Sequence, residues 1–171
     1  MRSSRVLRAP DRRLTELRHD IERALHDDVA IGMSALTIEL DLIAVAASDP
    51  AVGARIDAVR TAVCRVIEEL RQVGSAIYPP ALGSVDGLGA ALRAVAERRH
   101  LKLRLDLPPH ELTAEARIRT GLLVADHMLT LPPGTEVGVR VRGRRFLRVH
   151  VIEQRADRRG RHHLRAVLRC G

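Results

Sequence analysis

At 171 residues with 46% apolar side chains, the chain has enough hydrophobic material for one medium domain or two small ones. Its formal charge of +8 comes from 29 Lys and Arg against 21 Asp and Glu, with Lys102 the only lysine; such a surface speeds encounter with acidic partners, while Tyr78 and Phe146 alone make no stacking platform for single-stranded bases. The arginine-rich first twenty residues lack the apolar core of a leader, and no run reaches roughly 18 uninterrupted apolar residues, so the expectation is a cytoplasmic protein with no membrane partner.

Residues 1–10 read as a basic tail. From Asp11 to about Ala47, Leu14, Leu17, Ile21, Leu25, Val29, Met33, Leu36, Leu40 and Ile43 recur at three- and four-residue steps, which predicts one amphipathic helix. At 1.5 Å per residue it runs to roughly 50 Å, too long for a small domain to cover without a second long helix. Ser48, Asp49 and Pro50 supply cap and turn chemistry. After them Val52, Ile56, Val59, Val63, Val66, Leu70, Val73 and Ile77 repeat in 4-3 alternation, a heptad seam. Joined so closely, the two helices form an antiparallel hairpin over 11–78, and one hairpin cannot cover both apolar faces; two of them close a four-helix bundle, so the pattern predicts a homodimer. Cys64 in this helix and Cys170 near the C-terminus match no disulfide or metal spacing and read as free thiols.

Pro79 and Pro80 end the second helix, and 79–87 reads as a linker, with Gly83, Gly87 and Gly89 as linker glycines. The remainder, 88–171, alternates: a helix over Leu88–Arg99, a strand over Leu101–Leu107, a helix over Thr113–Leu129, then strands over Thr135–Arg142 and Phe146–Glu153 with Gly143 between them. The fold class expected is α+β, a long helical hairpin followed by a small α/β sandwich. Arg155 to Arg169 is crowded with arginine and histidine and ends in a short apolar alternation; it reads as a solvated basic tail. His150, His162 and His163 do not make a metal site, because neighbouring histidines on a strand face opposite ways and no carboxylate cluster accompanies them. No helix-turn-helix or zinc-finger pattern is present, which makes nucleic acid the weakest of the partners considered.

The segment richest in chemistry is Glu22, Arg23, Ala24, Leu25, His26, Asp27, Asp28 and Val29. Leu25 and Val29 belong to the seam, and one residue on is about 100° around a helix, so His26 is placed beside the seam with its imidazole in solvent. A neutral imidazole is a nucleophile near neutral pH, and a carboxylate holding one ring N–H leaves the other nitrogen free to attack phosphorus; Asp27 is the candidate for that carboxylate. Spacing alone leaves a second reading open, in which His26 is one of eight histidines on a solvated face.

The run Glu22–Val29, followed some fifty residues later by Ile77, Tyr78, Pro79, Pro80, Ala81 and Leu82 and then Gly87 and Leu88, resembles the nitrate-sensor and lipid-fluidity-sensor class of histidine kinases. In that family E-R-x-x-H-D-x-x carries the phosphorylated histidine on a dimeric hairpin, and R-P-x-x-L-x-x-x-G-L joins it to an ATP-binding α/β domain. The resemblance implies that His26 carries the phosphoryl group and that Asp27 activates it. Members that also dephosphorylate their partner place a glutamine five residues after the histidine; Ile31 stands there, so phosphatase action by that route is not expected.

The family's R-I-x-x-E-A-L-x-N helix supplies a glutamate for the chemistry and an asparagine for magnesium. Over Arg117–Ala125 this sequence has Gly121 and Ala125 at those positions, neither of which holds a metal or moves a proton. After Ile152, where the family has D-x-G-x-G, stand Glu153, Gln154, Arg155, Ala156 and Asp157, and the later glycine-rich lid is missing. The resemblance therefore implies an eroded kinase that uses no ATP, metal or other cofactor. The function this resemblance implies is that of a histidine phosphotransfer protein between response-regulator receiver domains. The alternatives are an adaptor that docks a receiver or a kinase subunit without chemistry and, last, a nucleic-acid binder.

Overall fold

The computed structural model describes residues 4–85, 87–155 and 160–169; Cys170 and Asp157 lie outside them. The chain divides into two units, Glu16–Tyr78 and a second made of Met1–Thr15 with Pro79–Gly171.

The first unit is helical. Asp11 accepts the Leu14 N–H at 2.8 Å and so starts α1, Arg12–Arg23. A π-helical segment, Ala24–Ala30, follows, and α2 runs over Ile31–Ala46. Asp49 caps α3, Pro50–Ile77, through the Ala51 N–H at 2.8 Å, with Pro50 in the first turn where its missing N–H costs nothing. The expectation of one uninterrupted α-helix is corrected at the π segment, and the sequence contains its cause. Leu14 and Ile21 lie seven residues apart, as do Val29, Leu36 and Ile43, but Ile21 and Val29 are eight apart. A π turn holds one residue more than an α turn, so the segment absorbs the extra residue and keeps both halves of the stripe in phase.

Helix α3 returns antiparallel: Arg60 Nε lies 3.4 Å from Asp41 Oδ1 near the connection, while Gly74 packs against Glu22 and Leu25 at the far end. The heptad seam divides into two rows. Ile56, Val63, Leu70 and Ile77 are half-buried, whereas Val52, Val59, Val66 and Val73 are exposed, as are Leu14, Ile21, Val29, Leu36 and Ile43. The helical rod Arg12–Ala46 is also long and apolar enough to cross a membrane by length and composition alone; Glu39 and Asp41 interrupt its apolar part.

The second unit holds a five-stranded sheet in the order β1-β5-β4-β3-β2, formed by Ser4–Val6, Lys102–Asp106, Glu136–Arg142, Phe146–Gln154 and His162–Arg169 numbered along the chain. The β1–β5 and β2–β3 pairs are parallel and the other two antiparallel. Two expectations are corrected here. Residues 4–6 are an edge strand of the sheet, and the arginine- and histidine-rich tail forms β5, paired on both sides. Alternation in β5 explains why: Leu164, Ala166 and Leu168 are buried with Val149 and Val151 of β4, while every second residue faces outward. Helices α4, Gly87–Arg98, and α5, Ala114–Leu129, cover the inner face; the outer face is bare among the described residues.

Gly87 and Gly89 belong to the first turn of α4 and are buried, which corrects their reading as linker residues. A Cβ on Gly87 falls 1.5 Å from the Ala81 carbonyl oxygen. The 3-10 turn Pro80–Gly83 is thereby seated against α4, with Leu82 wholly buried.

Candidate functional site

His26 and Asp27 lie inside the π segment, and the structure brings them together. His26 Nδ1 is 3.0 Å from Asp27 Oδ1, and the two side chains are 60% and 54% exposed. With the Nδ1 proton donated to that carboxylate, Nε2 is left as the basic nitrogen of an exposed side chain. The support beneath is built of small contacts. Ala30 and Ile67 are buried, and Gly74 is buried where α3 crosses Glu22 and Leu25; a Cβ there would lie 3.6 Å from Glu22 Cγ. On the preceding turns Arg23 reaches His19 Nε2 at 2.9 Å, and the His19 ring packs on Tyr78 with centroids 4.9 Å apart. Ile31, five residues after His26, is 60% exposed and presents only hydrocarbon. The π segment went unseen in the sequence reading, although the eight-residue step from Ile21 to Val29 is the signal that reveals it.

The positions compared with the nucleotide motifs lie in the second unit. Gly121 sits on α5 against Leu82, and a Cβ there would come within 2.2 Å of Leu82 Cδ2. Ala125 is 3% exposed. Glu153, the first residue compared with D-x-G-x-G, lies within β4 and is buried and engaged: Oε2 lies 2.8 Å from His127 Nε2 and Oε1 lies 3.3 Å from an Arg155 guanidinium nitrogen. These residues do not fit a magnesium nucleotide, since the first position is filled by Leu82, the second carries only a methyl group, and the carboxylate is committed inside the fold. Arg117 has a structural task that sequence reasoning missed. Its buried guanidinium donates to the carbonyls of Leu82 at 2.9 Å, Gly83 at 3.2 Å and Leu112 at 3.4 Å, tying the 3-10 turn to α5.

Of the other residues weighed, Cys64 is an exposed free thiol. Among the described residues no three His, Cys, Asp or Glu side chains gather to hold a metal ion. His150 and His163 do meet, on one face of the sheet through adjacent strands, with Nε2 and Nδ1 3.2 Å apart and the rings stacked at 5.3 Å.

Residues 18–82 match the HisKA_3 histidine kinase family. The match takes in the hairpin, His26 and the 3-10 turn that follows α3. Among solved structures, the chain is similar to the histidine kinase domain of the blue-light activated histidine kinase of Erythrobacter litoralis EL346, at 15% identity over 71% of this chain and 70% of that one, TM-score 0.34. It is also similar to a longer structure of that kinase, at 17% identity over 74% of this chain and 44% of that one, TM-score 0.33. No curated protein matches. The family match supports two-component signalling as the general setting, with a response regulator as the general class of partner.

Proposed function

We propose that this chain is a histidine phosphotransfer protein of a two-component relay, carrying phosphate on His26 to or from a receiver aspartate and doing so without ATP. The observation that carries the reading is the Nδ1 contact with Asp27 on an exposed, family-matched turn, which leaves Nε2 as the nucleophile. In the transfer, the Nε2 lone pair forms the N–P bond while the P–O bond to the receiver's aspartate breaks, and the electron pair leaves with that carboxylate. The ring keeps its Nδ1 proton and becomes cationic, a charge that Asp27 offsets. Reversal returns the phosphoryl group to another receiver. The receiver contributes its own magnesium and carboxylates, so the catalytic demand on this chain is a fixed, reachable imidazole. The test is incubation with phosphorylated receiver domains followed by a search for acid-labile label on His26. Tight docking with no label from any receiver would favour the adaptor reading. Ile31 provides no group to orient water, so a phosphorylated receiver is not dephosphorylated by that route. We place the relay in the cytoplasm, where receivers are found.

The exposed rows Val52, Val59, Val66 and Val73 on α3 and Val29, Leu36 and Ile43 along the π segment and α2 are assigned to a second copy of the chain, closing a four-helix bundle. Light scattering at micromolar concentration is expected to give twice the 18.9 kDa of the chain. A monomer mass would overturn the bundle.

Millimolar magnesium ATP is expected to leave the melting temperature unchanged, because ligand that does not bind the native state adds no stability. The same result is expected for Gly121→Glu with Ala125→Asn, since the added carboxylate meets Leu82 rather than a nucleotide. A clear rise in either protein would show a working nucleotide site.

A further inference from the structure

The outer face of the sheet combines cation density with pairing that the fold itself does not favour. Along one register row stand Asp106, Arg140, His150 and Arg165, on four successive strands. In the next, Arg142 faces Arg148 directly. Arg104 stands two residues before Asp106 on the same face. Like charges opposite one another on a sheet cost stability, and here Arg142 opposes Arg148 directly, while Arg140 and Arg165 flank His150 from the two neighbouring strands. The carboxylates of the face are already committed: Asp106 to Arg140 and Arg142, and Glu136 to Lys102 at 3.7 Å. Arg104, Arg148 and Arg165 have no carboxylate partner among the described residues. The crowding is felt by His150, whose imidazole is held below its ordinary range first by burial and then by the charges of His163, Arg165 and Arg140.

We propose that this bare face binds the backbone of duplex nucleic acid. Arginine is the residue suited to phosphate, through its planar fork of donors. Outward residues two apart on a strand lie about 6.7 Å apart, a spacing comparable with successive phosphates of one nucleic-acid strand. A protein partner is the poorer fit. Protein interfaces centre on clustered apolar anchors, whereas here the central row is Arg140, His150 and Arg165, and the exposed apolar side chains are dispersed: Val167 opposite Arg148, Val6 opposite Arg165 on the edge strand, and Phe146 at the start of β4. A single strand is also poorly served, because the central imidazoles of His150 and His163 stack on each other and Phe146 is the one exposed benzene ring on the face among the described residues. Binding is through phosphates and carries no sequence preference. The inference is independent of the phosphorelay reading, since His26 belongs to the other unit.

The test is fluorescence anisotropy of the full chain with a short random-sequence DNA duplex across a salt series. The expected result is affinity falling with salt with a log–log slope of about −4, corresponding to roughly four or five neutralised phosphates. Arg104→Glu, Arg148→Glu and Arg165→Glu together should weaken binding by at least about tenfold at fixed salt, given the loss of phosphate contacts. Arg55→Glu, Arg65→Glu and Arg71→Glu on α3, with the same change in net charge, should leave it within about twofold if contacts rather than charge decide. Circular dichroism checks folding, and the Arg→Gln version of the sheet triple serves if the Glu version is unfolded. Equal loss in both triples would reduce the effect to net charge and overturn the proposal. So would absence of duplex binding at low salt, with or without binding to polyglutamate or to phosphatidylglycerol vesicles.

Discussion

Given a phosphorylated receiver as donor, the intact chain should acquire acid-labile phosphate, and His26→Gln should acquire none. Glutamine keeps a polar side chain of similar reach but has no basic nitrogen to form the N–P bond, so the loss is complete. His26 is 60% exposed, and its replacement removes no buried contact, so the melting temperature should stay put and separate lost chemistry from lost fold. Asp27→Asn is the graded companion. It keeps an acceptor near Nδ1 but removes the charge that offsets the cationic ring. Hydrogen bonds to charged groups contribute roughly 1.5–3 kcal/mol, and with both groups more than half exposed, screening keeps the effect near the lower end, a slowing of about tenfold. Receiver binding by Asp27→Asn should persist. Transfer at an unchanged rate in Asp27→Asn would remove Asp27 from the mechanism, and label persisting in His26→Gln would remove His26.

The largest effect on stability is expected at Arg117. One buried guanidinium satisfies carbonyls at Leu82, Gly83 and Leu112, so Arg117→Ala removes three hydrogen bonds, leaves Leu82 and Gly83 to find other donors, and opens a cavity. Unsatisfied buried polar groups cost about 1–3 kcal/mol each. A total loss of about 3 kcal/mol corresponds to roughly 12–24 °C in melting temperature for a unit of this size. Arg117→Lys restores the charge but not the fork, and one ammonium cannot span three carbonyls, so it should recover only part of the loss. Thermal unfolding followed by circular dichroism reads both variants. A fall of only a degree or two in Arg117→Ala would mean that the turn holds without its tie.

The division between what sequence decides and what the tertiary structure decides falls at identifiable residues. Local sequence specified the helices through the three- and four-residue spacing of Leu14 to Ile43 and Val52 to Ile77, and through caps at Asp49 and Thr113 that satisfy their own helix N-termini. It specified the strands over Lys102–Asp106, Glu136–Arg142 and Phe146–Gln154 by alternation. It specified the β3–β4 turn as well, because Gly143 takes φ +107° and a Cβ there would lie 2.1 Å from the Phe146 carbonyl oxygen. His26 beside Asp27 is also local, a contact between neighbours in the chain. Tertiary structure decided what depends on partners far apart in sequence. Ser4–Val6 is too short to read as a strand and exists only because β5 offers an open edge 159 positions away at Ser4↔His163. The tail between Arg155 and Arg169 looked solvated because its charges dominate its composition, yet Leu164, Ala166 and Leu168 needed only a neighbouring strand to make β5 a sheet member. The roles of Gly121 and Arg117 likewise come from packing: the Leu82 side chain and the Leu82 and Gly83 carbonyls set what these positions must be, and no periodicity in the sequence reports contacts between residues so far apart along the chain.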